Sequence, residues 1–283
     1  MRVALSIAVA MVLALPAVGT TQPQRPLIVT TQDHSLVDTD DCTNFHTQNT
    51  TSLPAEARAE EQKRVRLSGI DLLKVRTSNE GGVSVKGWDR PFARLTVCKS
   101  AAALSDTQAR NALSQIDVAV QNGEIVARGP ELNGTQTWWV HMILRVPRSA
   151  NLDVAAANGG IAIRNMNGRV TARATNGGIS LASCTGESHV STENGGISLD
   201  KISGSISATT QNGPISFKVR DATVPSIEAH TDEAGEILCH LKGCTDGQAS
   251  WAPDRKTMRI GGGSAPSIRL TSYTADIMIE QVR

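Results

Sequence analysis

The chain has 283 residues, 28 Lys and Arg against 27 Asp and Glu, and aromatic residues at only 3%. That length accommodates one large domain or two small ones with a sizeable core. A formal net charge of +1 provides no global field to gather nucleic acid or acidic lipid, so nucleic-acid binding is not expected.

The N-terminus reads as an export signal. Arg2 precedes an apolar run from Val3 to Leu15, then Pro16 and small residues, with Ala17 and Gly19 at the −3 and −1 positions of a cut before Thr20. The rival is an uncleaved anchor, but the run is short for a span and Pro16 interrupts it. Loss of residues 1–19 removes one Arg and no acid, leaving a formally neutral chain with no integral membrane segment. The expected location is the periplasm, the cell surface or the extracellular space.

Residues 20–65 are rich in Thr, Gln, Asp, Asn, Ser and Pro and read as a polar flexible linker, with a short helix over Pro54–Lys63. Asp38, Asp40, Asp41, Cys42 and His46 fall here, without the spacing of a metal loop. From residue 66 onward the alternation of strands begins. Gly81-Gly82-Val83-Ser84-Val85 forms a corner and strand, followed by strands over Arg94–Val97, Ile116–Val120, Ile125–Arg128 and Thr137–Val146. Ser105–Gln115 is the one good helix: Ser105 and Gln108 make a capping box, and Ala109, Ala112, Leu113 and Ile116 an apolar stripe. It is a candidate cover for an open sheet end.

The most informative feature follows. Asn158, Asn176, Asn194 and Asn212 each precede Gly, 18 residues apart. Three positions after each stands an Ile (Ile161, Ile179, Ile197, Ile215), and two further on stand Ile163, Leu181, Leu199 and Phe217. Gly168, Gly186 and Gly204 mark the middle of successive units. Period-2 alternation means strands with one buried face, and a fixed repeat of two short strands means stacked units. The glycine-bearing corners are expected to supply φ > 0. The fold class is therefore all-β: a parallel β-helix or β-solenoid with 18-residue turns and one short helix. An antiparallel meander with Asn-Gly hairpin turns is the alternative, but it has no reason to hold the spacing constant. In the coil the four Asn side chains form a structural ladder along one edge. Amide rows also invite a ligand, though stacking satisfies the amides and Asn tolerates the left-handed conformation. Beyond the repeat, Ser226–Ala229, Gly235–Leu238, Ile260–Gly263 and a last strand at Asp276–Ile279 resume the pattern.

Repeat phase sorts the five cysteines. Cys184 takes the place of Met166 and Ile202 and reads as a buried small apolar residue. Cys239 with Cys244, and Cys42 with Cys98, are then the expected disulfides.

Gly81–Asp89, the Val146-Pro147 step, the serial Asn-Gly-(Gly/Pro)-Ile units and the late Ile268-Arg269-Leu270 segment together resemble the bacterial putative-adhesin family of unknown function. The resemblance covers residues 66–283. It implies a cell-envelope β-solenoid and carries no catalytic residue. One departure is the corner at Thr274-Ala275, where Asn-Gly is expected.

No Gly-x-Ser-x-Gly elbow, His-Glu-x-x-His or Walker loop occurs, and Gly261-Gly262-Gly263 has no following Lys-Ser/Thr. His230, Asp232, Cys239, His240 and Cys244 could be drawn as a metal site, but an oxidising compartment favours the disulfide. His189 sits at an outward phase. The outward column Arg164, Ala182, Asp200, Lys218 offers a single acid, which argues against a β-helix polysaccharide enzyme. No residue is assigned a catalytic, cofactor-binding or metal-binding role, and no cofactor is expected. The expected function is non-catalytic: a rigid β face displayed for adhesion to an envelope protein or glycan. The alternative is an envelope-stress or assembly factor that docks a partner strand.

Overall fold

The computed structural model describes residues 38–43, 45, 53–131, 134–219, 226–232, 234–261 and 267–282. The export signal and most of residues 20–52 lie outside the described residues.

The first half of the described chain contains β1 (Ala55–Val65), β2 (Leu72–Glu80), β3 (Val83–Trp88) and β4 (Ala93–Ala103). After these come helix α1 (Asp106–Ser114), β5 (Asp117–Gln121), β6 (Glu124–Arg128) and β7 (Gln136–Pro147). The repeat region supplies β8 (Asn151–Asn158), β9 (Ile161–Arg164), β10 (Val170–Asn176), β11 (Ile179–Ala182), β12 (Ser188–Asn194), β13 (Ile197–Asp200), β14 (Ile206–Asn212) and β15 (Ile215–Val219). Then follow β16 (Ile227–Thr231), β17 (Ile237–Cys239), helix α2 (Lys242–Thr245), β18 (Ser250–Trp251), β19 (Thr257–Ile260), β20 (Ile268–Ser272) and β21 (Ile277–Gln281).

These strands make two large sheets. One runs β1-β4-β7-β3-β9-β11-β13-β15-β21-β17, the other β18-β19-β16-β20-β14-β12-β10-β8-β2-β6-β5. From β8 to β15 the chain alternates between the sheets, and each of β8 to β13 pairs in parallel with the strand 18 residues later. Ile161, Ile179, Ile197 and Ile215 are direct register partners, as are Asn158, Asn176, Asn194 and Asn212. The inward residues of both sheets close one core in which Ile163, Leu181, Leu199 and Phe217 are all buried. Burial of each such side chain contributes about 1.5–3 kcal/mol, which explains why the alternation is strict. Ser188 interrupts the column of Leu152, Val170 and Ile206, and its buried hydroxyl has no partner.

The spatial order departs from chain order at both ends. β2 and β3 precede β8 and β9 in the stack, with Leu73 beside Leu152 and Val83 beside Ile161. At the other end, β20 and β21 lie directly on β14 and β15, and β16 and β17 lie outside them. The late segment thus slots between two earlier ones, because Ile268 and Leu270 continue the apolar column that Ile206 and Ala208 leave open.

Residues 55–65 correct the expectation of a short helix. Ala-Glu-Ala-Arg-Ala-Glu-Glu-Gln-Lys-Arg is rich in helix formers, yet the segment is β1, antiparallel to β4 from Ala55↔Ala103 to Val65↔Ala93. Pairing along eleven residues outweighs a propensity of tenths of a kcal/mol per residue, about. The charged outer face suits a sheet edge. Helix α1 is capped by Ser105, whose Oγ accepts from Gln108 N at 3.4 Å, and it buries Ala109 and Ala112.

The corners also correct an expectation. Gly81 and the mid-unit Gly204 do have positive φ, 134° and 104°, but Gly159, Gly177 and Gly195 do not; at the far corner of each unit Asn165, Ser183 and Lys201 take φ of 60°, 54° and 54° instead. What demands glycine after each Asn is contact between units. A Cβ on Gly159 would lie 2.1 Å from Gly81 O, and one on Gly177 2.2 Å from Gly159 O. Gly177→Ala is therefore expected to destabilise by several kcal/mol, about 3 or more, while Gly134→Ala, which meets nothing within 4 Å, stays within about 0.5 kcal/mol. Urea unfolding of both variants checks this; equal midpoints would show that the corners do not stack.

Candidate interaction surface

The four asparagines line one edge. Asn176 Nδ2 donates to Asn158 Oδ1 at 2.8 Å, Asn194 Nδ2 to Asn176 Oδ1 at 2.9 Å, and Asn212 Nδ2 to Asn194 Oδ1 at 2.9 Å. All the amides point the same way, each bond contributing about 1 kcal/mol. Thr274, at the departing corner, donates from Oγ1 to Gln211 O at 2.9 Å and to Asn212 Oδ1 at 3.4 Å. At the other end the register partner of Asn158 is Glu80. Its Oε2 is buried without a hydrogen bond, and burial pushes its carboxyl above the usual range. Sequence reading overlooked Glu80, although Glu80-Gly81-Gly82-Val83 repeats the phase of Asn-Gly-Gly-Ile.

A second row was also overlooked. Two residues before each later corner a buried hydroxyl donates to the corner carbonyl of the preceding unit: Thr192 to Gly177 O at 2.8 Å, Thr210 to Gly195 O at 2.9 Å, Ser272 to Gly213 O at 3.0 Å. The signal was Thr-x-Asn-Gly, present twice in the sequence.

The outward faces carry mostly small and polar side chains in register. On one sheet Ala162, Ser180, Ser198 and Ser216 are register partners, beside the column Arg164, Ala182, Asp200, Lys218. On the other run Asp153, Thr171, His189 and Ser207, then Ala155, Arg173, Ser191 and Thr209. Several charges on this second face are paired, mostly between neighbouring units. Asp153 bridges Arg76 at 2.7 Å and Arg173 at 3.0 Å, Glu187 meets Arg169 at 2.8 Å and His189 at 2.9 Å, and Glu228 meets Arg259 at 2.8 Å.

The region read as linker covers part of the first sheet. Asp38 bonds Lys86 at 2.8 Å and Arg164 at 2.6 Å; Asp40 pairs with Arg94 and, at 2.7 Å, with Arg145. The Lys86 hydrogen bond holds the Asp38 carboxyl below its ordinary range. Burial would raise Asp40, but Arg94 and Arg145 outweigh it and lower it. Cys42 is bonded to Cys98, and Cys239 to Cys244. Two disulfides fit an oxidising compartment. Cys184 is buried, its thiol donating to Ala182 O at 3.4 Å, and burial pushes its pKa up. Asp38, Asp40 and Cys42 are thus each engaged elsewhere than in a shared site; His46 lies outside the described residues. His230 bonds Thr257 Oγ1 at 2.9 Å and Asp232 at 3.2 Å. Among the described residues no group of three or more His, Cys, Asp or Glu is placed to hold a metal, and no helix is long and apolar enough to cross a membrane.

Ser84 Oγ lies 2.9 Å from His141 Nε2, a pairing that suggests a nucleophile and its base. Its surroundings differ from those of such a pair. Ser84 is 1% and His141 2% exposed, Phe45 sits 5.9 Å from the imidazole between ring centroids, and His141 Nδ1 has no partner to orient the ring. Burial lowers His141 to about 4, so the ring is neutral at pH 7.

No family model matches the chain, and no curated protein matches it. Among solved structures it is similar to a "putative cell adhesion protein" of Clostridium sporogenes, with 12% identity and a TM-score of 0.45, over 80% of this chain and 100% of that one. It is also similar to a "putative adhesin" of Bacteroides fragilis, with 11% identity and a TM-score of 0.40, over 80% of this chain and 97% of that one. A "putative lipid binding protein" of Parabacteroides distasonis aligns at 11% identity and a TM-score of 0.24, over 79% and 97%. Likenesses of this grade carry no functional assignment across.

Two outcomes follow from the buried groups. Because the folded pKa of His141 is depressed from 6.5 to about 4, the unfolded chain binds more protons between these values, and stability falls as pH drops through that window. The His141 contribution amounts to about 3 kcal/mol, read as the difference between wild type and His141→Gln in urea midpoints at pH 7 and pH 4; parallel pH profiles would contradict the burial. Thiol titration without reductant is expected to find one thiol in denatured protein, that of Cys184, and none in native protein; three or more would mean an open disulfide.

Proposed function

We propose that this chain is a non-catalytic, exported protein of the bacterial cell envelope or surface, in which a β-solenoid presents a rigid polar β face for adhesion or protein interaction. In this reading residues 1–19 are the export signal, most of 20–52 is tether, and the coiled domain runs to the C-terminus with Asp38–Phe45 and β1 docked on it.

The observation that carries the proposal is the exact superposition of outward residues across successive units. Ser180, Ser198 and Ser216 recur at strand spacing, about 4.8 Å, on a backbone that cannot shift without breaking its corners. Such a row offers a partner many identical weak contacts, whose sum gives avidity. The disulfides and the signal-like N-terminus support export. A non-catalytic reading is supported by the seal over Ser84 and His141 and by the lone acid, Asp200, in the outward column.

Docking of a partner strand at an edge is less favoured. β1 is one edge of the first sheet and turns Glu56, Arg58, Glu60 and Gln62 outward, and charge along an edge discourages strand addition.

Purified, labelled chain should bind isolated envelopes saturably, and Ser180→Gln/Ser198→Gln/Ser216→Gln, which fills the row with larger uncharged side chains, should weaken that binding about tenfold without lowering Tm. Unchanged binding by the triple variant would refute display by this face. Turnover on a polysaccharide panel that is lost in Asp200→Ala would refute the non-catalytic reading.

A further inference from the structure

Five adjacent strands carry a cation at the same level on the outer face of the first sheet. Arg64 on β1 is opposite Arg94 on β4, Arg94 opposite Arg145 on β7, Arg145 beside Lys86 on β3, and Lys86 beside Arg164 on β9. Like charges at strand spacing of about 4.8 Å repel, so such a row calls for anions. Asp38 and Asp40 each pair with two of the four other than Arg64, so two charges offset four and the row keeps a net positive charge. Arg64 has no carboxylate; it stacks over Phe92, 4.0 Å from the ring centroid.

The row opens beyond Arg64 onto free surface. Arg66 follows the end of β1 and lines two of the same hollows as Arg64. Arg90 lies over Trp88 at 5.4 Å, and Trp88 meets Phe92 edge-on at 5.0 Å. Arg64, Arg66 and Arg90 are exposed, and none forms an ion pair or hydrogen bond among the described residues. They line three shallow, connected hollows. One of 540 Å³ is shared by Arg64 and Arg66, one of 360 Å³ adds Phe92, and one of 310 Å³ runs from Phe92 to Trp88 and Arg90. Among their lining residues Asp40 alone is acidic, and Arg94 and Arg145 already engage it.

We propose that Arg64, Arg66 and Arg90 form a binding track for an acidic polysaccharide, a polymer of carboxylate- or sulfate-bearing sugars. A guanidinium fork matches either group in bidentate fashion. Open hollows in series suit a polymer, because none of them encloses a small molecule. Nucleic acid is a poorer fit: the ring faces that bases would stack on are taken by Arg64, Arg90 and Arg94. An acidic peptide would need enclosed side-chain anchors, and these hollows are open: the two around Phe92 have only Leu67 and Pro91 as aliphatic walls, and aliphatic residues (Val65, Ile70, Val120) line only the one at Arg64 and Arg66. The choice of a glycan rests on the export reading above; the anion site itself does not.

The test measures binding of the purified full chain to immobilised alginate and dextran sulfate, with neutral dextran as blank and poly-glutamate and single-stranded DNA as competitors. Both acidic glycans should bind at low salt, lose most binding at 0.5 M salt (roughly a 4 Å screening length), and bind the Arg64→Gln/Arg66→Gln/Arg90→Gln variant about tenfold or more weakly. Arg173→Gln/Arg269→Gln, on the other sheet, should bind like wild type, and all variants should keep the wild-type Tm. Absence of glycan binding, or equal binding by the triple variant, would overturn the site. Preferential binding of poly-glutamate or DNA, lost in the triple variant, would overturn the glycan class. These variants leave the Ser180, Ser198 and Ser216 row intact, so failure here and failure of the displayed face are read separately.

Discussion

Successive units touch backbone to backbone at the corner that follows each asparagine, and the rest of the architecture depends on that closeness. A side chain on Gly159, Gly177 or Gly195 would sit within 2.3 Å of the carbonyl oxygen of the unit before it. With the corners in contact, residues 18 apart are forced into register on both sheets. Amide then meets amide, Ile meets Ile, and serine meets serine. The asparagine bonds are a consequence of this stacking as much as a cause. At about 1 kcal/mol each they favour the correct register over its neighbours, while the buried apolar columns provide the larger driving force.

Stacked units leave a problem at the ends, where apolar columns and sheet edges would face water. Different devices meet it at each end. At one, α1 buries Ala109 and Ala112 near β1 and β4, and β1 closes the sheet with a charged outer face. At the other, β18 and β19 pair antiparallel beyond β16, and Cys239–Cys244 closes the turn into α2. The Asp38–Phe45 segment does something else. It lies on the outer side of β4 and β7 and covers Trp139, His141 and Ile143, which would otherwise be an apolar patch within a polar face.

Chemistry and exposure are separated in this molecule. Among the described residues the serine–histidine contact is sealed and neutral, whereas the polar groups that reach the surface include the serine row, charges paired between neighbouring units and, at the β1 end, exposed guanidiniums without an ion pair. Buried polar groups here serve the fold: Thr192, Thr210 and Ser272 tie each unit to the last. Exposed ones are free to serve recognition. Asp153, Glu187 and Glu228 each offset cations on the second sheet, whereas Arg64, Arg66 and Arg90 share their hollows with a single acid, Asp40.

The 18-residue period, the inward Ile and Leu positions, the phase of Cys184 and the bounds of α1 were all legible in the sequence. Each is a local or periodic property, and burial enforces it residue by residue. Other features came only with tertiary structure. The insertion of β20 between β14 and β16, and of β21 between β15 and β17, is a choice among long-range partners, and neither segment carries a local mark of it. β1 has the composition of a solvated helix and becomes a strand because β4 has a free edge. The five-strand cation row gathers residues from Arg64 to Arg164, which no spacing rule connects. Glycine after asparagine was read as a need for unusual φ, but the need is for space. Periodicity reports which side of a strand faces the core; it is silent on which strand lies next door, because that depends on the competition of all edges for all partners.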